Sequence, residues 1–299
     1  MSDLILLLSD KKKLNWSFAS GRLSGSMSYV RASSGARCGQ TGWLETLGAD
    51  QTRFDFDPSS HACNGLLIEP QRTNLHTRSC LPSLWTANNG AMVVDNVYAS
   101  PDGSQNASQI TAGVAYGGRY INLSSGVSSG MDYSVSGFVR SFSGSSILRV
   151  GAQNAEESTN NAYLHIDTSS GSLVSAGAAA YDATCTLWPN GWTRFSYRIR
   201  TGSSQSSVFF IAFAIGGGSV FSVWGAQVEQ GWQASSFIYT AGTTATRAAD
   251  TLSLTIPSGV NGLKYVFDDD STQELAVSSG VYTLPTNLSR LCIKRIEAV

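Results

Sequence analysis

Between about Trp85 and Val228 the chain is a succession of short apolar runs set apart by turn clusters, and that spacing leaves little choice of fold. Ala91 to Tyr98, Ala107 to Thr111, Gly118 to Leu123, Tyr133 to Ser141, Ile147 to Ala152 and Ala162 to Asp167 each have the length of a strand. Turn formers such as Pro101-Asp102-Gly103 bound them. Thr193 to Arg200, Val208 to Ile215 and Val220 to Val228 follow, with alternating or continuous apolar character. Charged residues make up only 14% of the chain while glycine reaches 30 residues, a balance that suits short strands and tight turns and leaves little material for amphipathic helices. The expected fold class is all-β, with strands enough for a two-sheet jelly-roll β-sandwich. At 299 residues there is room for one such sandwich and smaller attachments.

The flanks read differently. Residues 1–80 lack sustained alternation and mix Gly, Ser and Arg with isolated aromatics such as Trp16, Phe18, Tyr29 and Trp43, which suggests an N-terminal extended arm or collar. Inside it, Arg53 to Asp57 alternates and stops at Pro58, which lacks a backbone donor, and Gly65 to Glu69 reads as a second short strand. Residues 81–250 are assigned to the jelly roll. Within it Gly137 interrupts the period-2 beat of Tyr133, Val135 and Val139, as a β-bulge does. Residues 251–299 begin with the alternating Leu252 to Ile256 and continue through Gly262 to Phe267 and Ile293 to Ile296, a small C-terminal β-hairpin subdomain.

Several function classes find no support. A net charge of −1 supplies no field for nucleic acid or an anionic membrane. The apolar run Leu4 to Leu8 is five residues long and is followed by Lys11-Lys12-Lys13, the wrong length and charge order for a secretion signal, and no apolar segment reaches 18 residues. Cys38, Cys63, Cys80, Cys185 and Cys292 show no C-x-x-C spacing, and His61, His76 and His165 no metal-ligand spacing. Gly126-Val127-Ser128-Ser129-Gly130 matches the nucleophile elbow G-x-S-x-G, but it lies in a Ser/Gly-rich turn between strands, where the elbow requires a helix to follow. Glu156-Glu157 and Asp268-Asp269-Asp270 are the carboxylates available for glycoside hydrolysis, and neighbouring side chains on a strand diverge.

Three motifs stand in order: Gly65-Leu66-Leu67-Ile68-Glu69-Pro70-Gln71-Arg72-Thr73-Asn74-Leu75, then Trp224-Gly225-Ala226-Gln227-Val228-Glu229, closed by Thr246-Arg247-Ala248-Ala249-Asp250, then Phe267 to Gln273 before Asn287-Leu288-Ser289-Arg290. This order resembles phage and prophage virion fibre-like structural proteins, of tail or head, with a central carbohydrate-binding jelly roll. The resemblance implies a non-enzymatic virion protein, assembled in the bacterial cytoplasm and released by lysis, that binds host cell-surface polysaccharide and mediates adsorption. It implies partners among other virion proteins through the N-terminal arm, and a homo-oligomer, by analogy a trimer, since multivalency raises the avidity of weak sugar sites by roughly 100-fold or more. In such a compartment the odd cysteine count predicts mostly free thiols, with a Cys38–Cys63 disulfide as the open alternative. A polysaccharide-degrading tailspike enzyme and a ligand-free connector or decoration protein are the competing readings.

A sugar site needs aromatic faces for C–H surfaces and planar polar side chains for ring hydroxyls. Two regions offer the mixture: Tyr116, Arg119 and Tyr120 with Asn122, and the polar loop from Gln153 with Asn154 and Tyr163, to which Tyr181 and Trp188 are the candidate neighbours. Ordinary surface loops are the competing account of both. Trp192 reads as a turn entering a core strand. On the strand at Trp224, alternation puts Trp224 and Val228 on one face with Ala226, as core residues, and Gln227 and Glu229 on the other. Glu229 with Asp102 is the candidate ligand pair for a structural calcium ion; a hydrogen-bonded carboxylate is the alternative. No other cofactor is expected.

Overall fold

A computed structural model describes residues 14–153, 162–204 and 207–299. The chain divides into two compact units: residues 72–246, and a second built from both flanks, residues 1–71 with 247–299.

The 72–246 unit is a sandwich of two six-stranded sheets. The first runs, edge to edge, Tyr181–Leu187, Thr193–Arg200, Asp132–Ser143, Val220–Gln230, Ala107–Thr111 and Met92–Tyr98. The second runs Ser172–Ala176, Tyr163–Asp167, Ile147–Gln153, Val208–Ala214, Gly118–Leu123 and Thr86–Asn88. Alternate residues of each strand fill the space between the sheets: Tyr133, Val135 and Val139; Phe195, Tyr197 and Ile199; Leu148, Val150 and Ala152; Val208, Phe210 and Ala212. Full burial of one such large side chain stabilises the fold by about 2 to 3 kcal/mol, so the period-2 pattern fixes which face each strand turns inward. The all-β expectation is therefore met, and Trp192 is buried with its indole N–H donating to the Ala99 carbonyl at 3.0 Å.

One strand departs from simple alternation. Opposite Ser136 and Phe138, two residues apart, the partner strand supplies Gln227 and Trp224, three apart. The extra residue is a bulge at Gly225, whose φ of 65° lies in the left-handed region. The bulge shifts the beat, so Phe221 and Val223 before it and Ala226 and Val228 after it all point into the core. Trp224 therefore lies on the face opposite Val228, correcting the shared face expected from plain alternation. There it is buried in an aromatic cluster, its ring 5.8 Å from Phe138 and 4.6 Å from Phe237, and its indole N–H donates to Asn106 Oδ1 at 2.8 Å.

The Asn74 side chain serves the same strand beyond the bulge. Its Nδ2 donates to the carbonyls of Ala226 (3.2 Å) and Ile238 (2.9 Å), and its Oδ1 accepts the N–H groups of His76 (3.0 Å) and Val228 (3.2 Å). A buried asparagine thus replaces a neighbouring strand for backbone groups that would otherwise be unpaired.

The other unit corrects the three-part division into arm, jelly roll and C-terminal subdomain. Strand Cys292–Ala298 pairs with Gly262–Phe267, with Cys63–Leu67 and with Asn15–Ser17, so the two flanks share one sheet. Met27–Val30 likewise pairs with Thr251–Ile256. Trp16, Phe18, Phe54 and Leu66 from one flank pack in a single core with Leu254, Tyr265, Ile293 and Ile296 from the other. The reason is burial: Trp16 and Phe18 are core residues whose partners lie at the far end of the sequence.

Beside that core sits a buried ionic cluster. Arg53 pairs with Asp250 and, at 2.6 Å, with Glu69; Arg31 reaches Asp250 at 3.3 Å; Arg247 reaches Glu69 at 3.4 Å. All five side chains are essentially sealed from solvent. Carbonyls of Ser33 and Gly48 accept from Arg31, and that of Pro70 accepts from Arg247. The Tyr29 hydroxyl donates to Asp250, and burial together with that carboxylate pushes its pKa up to about 12.

The five cysteines are free thiols, Cys38 and Cys63 included. Burial pushes the Cys80 thiol up to about 12 and Cys185 to about 11, so neither is a thiolate near neutrality.

Candidate functional site

The second sheet turns its outer face away from the sandwich core, and its strand register gathers aromatic and basic side chains there. Cross-strand partners share a face. One row across the sheet is Tyr120, Ile211, Gly151 and Tyr163; the next is Gly118, Phe213, Arg149 and His165; Asn122 stands opposite Phe209. The Tyr120 and Phe209 rings are tilted with centroids 6.2 Å apart. Across the sheet, the Arg149 guanidinium lies 4.2 Å from the centre of the Tyr163 ring, and His165 is 4.9 Å from Tyr163.

Between these flanks stand Gly151, which presents no side chain, and Ile211, both buried. A Cβ on Gly151 would come within 2.9 Å of Ile211 Cδ1 and 3.2 Å of the Ala162 carbonyl, so the buried Ile211 side chain packs directly against the glycine. The ring faces of Tyr120, Phe209 and Tyr163 are half-buried. His165 Nδ1 is 3.0 Å from Ser175 Oγ, and burial with the nearby Arg149 charge holds the imidazole below its ordinary pKa, so the ring is neutral at pH 7.

Of the residues expected from sequence, Tyr120, Asn122 and Tyr163 come together on this face, joined by the Val208–Ala214 strand between them. Tyr116 sits on the preceding turn, 42% exposed, with φ 57°, its carbonyl accepting from Asn88 Nδ2 at 2.8 Å. Arg119 points the other way. Alternation turns it off the Tyr120 face, and its guanidinium donates to the Trp85 (3.1 Å) and Ala91 (3.0 Å) carbonyls. Trp188 belongs to the first sheet's side of the sandwich, buried edge-on against Phe138 at 5.0 Å, and is therefore no neighbour of Tyr163. Asn154, with Glu156 and Glu157, lies outside the described residues.

Phe209, Phe213, Arg149 and His165 were missed. A signal existed: Val208 to Ile215 is apolar at every position, so one of its faces had to be left outside the sandwich.

The two carboxylates expected at calcium are engaged by donors. Ser235 gives its hydroxyl to Glu229 Oε1 at 2.5 Å and its N–H to Oε2 at 3.0 Å, which fixes the segment after the strand. Asp102 Oδ1 accepts from the Ser100 hydroxyl and from the hydroxyl and N–H of Ser104, closing its turn. Among the described residues no group of three His, Cys, Asp or Glu side chains is placed to hold a metal ion. Asp268 forms a bidentate pair with Arg290, at 2.6 and 2.7 Å, and Asp270 bonds Lys294, so these acids serve as ion-pair partners. Ser128 lies in a turn before strand Asp132–Ser143 and its N–H bonds the Tyr133 hydroxyl at 2.7 Å; the elbow geometry is missing.

No family model and no curated protein matches the chain. Among solved structures it is similar to the CBM22-1 xylan-binding domain of Paenibacillus barcinonensis Xyn10C, at 16% identity and a TM-score of 0.37, covering 55% of this chain and 94% of that one. The C-terminal family 22 carbohydrate-binding module of Clostridium thermocellum Xyn10B gives 15% identity and a TM-score of 0.34, covering 56% and 94%. At such values the ligand of this chain has to be argued from its own residues.

Proposed function

We propose that the 72–246 sandwich is a non-catalytic carbohydrate-binding module that uses the outer face of its second sheet. The observation that carries this reading is the set of side chains that the strand register gathers on one face: the half-buried rings of Tyr120, Phe209 and Tyr163, with Asn122 and Arg149 offering planar donors beside them. Pyranose rings present C–H faces to aromatic planes and hydroxyls to such donors. The sequence resemblance extends the reading: the chain acts as a virion fibre-like protein that brings a phage to host surface polysaccharide, in several copies.

The test is binding of the purified chain to a polysaccharide panel, with Tyr120→Ala/Tyr163→Ala as the paired variant. Loss of at least about tenfold in affinity at an unchanged melting temperature is expected, since each stacked aromatic contributes about 0.5 to 1.5 kcal/mol beyond its burial. Full binding by the double variant removes this face from consideration. Shortening of a bound polysaccharide on incubation would replace the binding module with a depolymerase, and silence across the panel would favour a connector.

A further inference from the structure

Resting on the carbohydrate-binding reading, we infer that this face selects acidic polysaccharides, taking the carboxylate of a uronate- or sialate-type unit between Arg149 and His165. Two other arginines of the sandwich are engaged by acceptors, whereas Arg140, like Arg149, stacks on an aromatic ring. Arg198 pairs with Asp182 at 2.9 Å and Asp132 at 3.2 Å, and Arg119 bonds two carbonyls. Arg149 has no ion-pair partner among the described residues; its guanidinium lies on the Tyr163 ring, and its buried Nε has no hydrogen-bond partner there. Directly across the strand pair stands His165, whose buried Nε2 is likewise unpartnered.

Two adjacent donors left unmet under partial burial are costly unless an acceptor arrives from outside. With Ser175 at Nδ1, the tautomer carrying its proton on Nε2 offers an N–H on the side away from that serine. Stacking on an aromatic ring occupies the guanidinium plane and leaves its edges for in-plane bonds, which a carboxylate fills in a bidentate manner. The chain's net charge of −1 supplies no long-range attraction, so the discrimination is local to this pair.

The test uses the full chain with polygalacturonate, alginate and polysialate, their methyl esters, and neutral xylan and dextran, measured by calorimetry or affinity electrophoresis. Expected is binding to at least one acidic polymer, weakened about tenfold or more by esterification, because a bond to a charged group is worth about 1.5 to 3 kcal/mol. Arg149→Gln should give the same loss on the acidic polymer and a clearly smaller loss on its ester, so that the preference for the acid disappears, with an unaltered melting temperature. Arg149→Lys, which keeps the charge and loses the fork, should fall between. Equal binding of acid and ester, or binding confined to neutral polymers, overturns the inference and leaves the carbohydrate reading in place. No binding to any polymer overturns both.

Discussion

Asp250 and Arg53, 197 positions apart in the chain, meet as a fully buried ion pair. Arg31 and Tyr29 share the same carboxylate, and Glu69 shares the same guanidinium. Taking away the acid strands cations in a dry site, which costs about 3 to 5 kcal/mol. Asp250→Ala is therefore expected to lower the melting temperature and to open residues 14–71 and 247–299 to protease ahead of the sandwich. Calorimetry with mass mapping of limited-proteolysis fragments checks this; an unchanged melting curve would contradict it.

Asn74 closes four backbone bonds from within the sandwich. Asn74→Leu keeps much of the volume and leaves those groups without partners, at about 1 to 3 kcal/mol for each one that stays unsatisfied. The expected result is a fall in the sandwich's unfolding free energy of about 2 kcal/mol or more, read by urea titration of tryptophan fluorescence. A shift below about 1 kcal/mol would show that water takes over the role.

The bulge at Gly225 is tied to its left-handed backbone, and an added Cβ would stand 3.3 Å from both Phe138 and Phe237. Gly225→Ala should cost about 1 to 2 kcal/mol, from φ strain and the tightened aromatic cluster. Near-UV circular dichroism should report the disturbed tryptophan before far-UV signals change. A variant as stable as the parent would mean that the bulge relocates.

His76 lies wholly buried between Trp85, at 4.7 Å, and Phe210, at 5.1 Å, and burial pushes its pKa down to about 3. The unfolded chain takes up this proton near pH 6.5 while the folded chain does not until about pH 3. Between those values the unfolded state binds more protons, so stability is full above pH 6.5 and falls as the pH is lowered toward 3. The slope from this one group is about 1.4 kcal/mol per pH unit. Urea titrations from pH 7 to 4, compared with His76→Gln, should show the parent losing stability more steeply; parallel curves would exclude the histidine as the cause.

How much of this was legible in the sequence depends on strand length. The sandwich strands, such as Thr193–Arg200, are long enough to display a full alternating beat, and they were readable. Asn15–Ser17 and Phe54–Phe56 are three residues each, too short for any period, and Asn15–Ser17 pairs with residues 295–297. Hence the second unit looked like an arm and a hairpin. Trp224 was misplaced because a single inserted residue reverses which side each later residue faces. On the candidate face, Tyr120 and Tyr163 stood out as aromatics among polar neighbours, whereas Phe209 hid in a run that looked like pure core. Glu69 and Asp250 stand in the sequence only as members of motifs, since an ion pair across that distance leaves no local mark.

Thr73 and Thr246, the near-terminal residues of the sandwich segment, touch through their hydroxyls at 2.7 Å. The sandwich segment, residues 72–246, thus has its two ends side by side. An insertion with such close ends behaves as an interchangeable cartridge: a different sandwich, spanning the same two threonines, could replace it without redrawing the sheet that Asn15–Ser17 and Cys292–Ala298 share. The exposed face of the sandwich would then change by replacing a domain whole, leaving the flanking sheet unaltered.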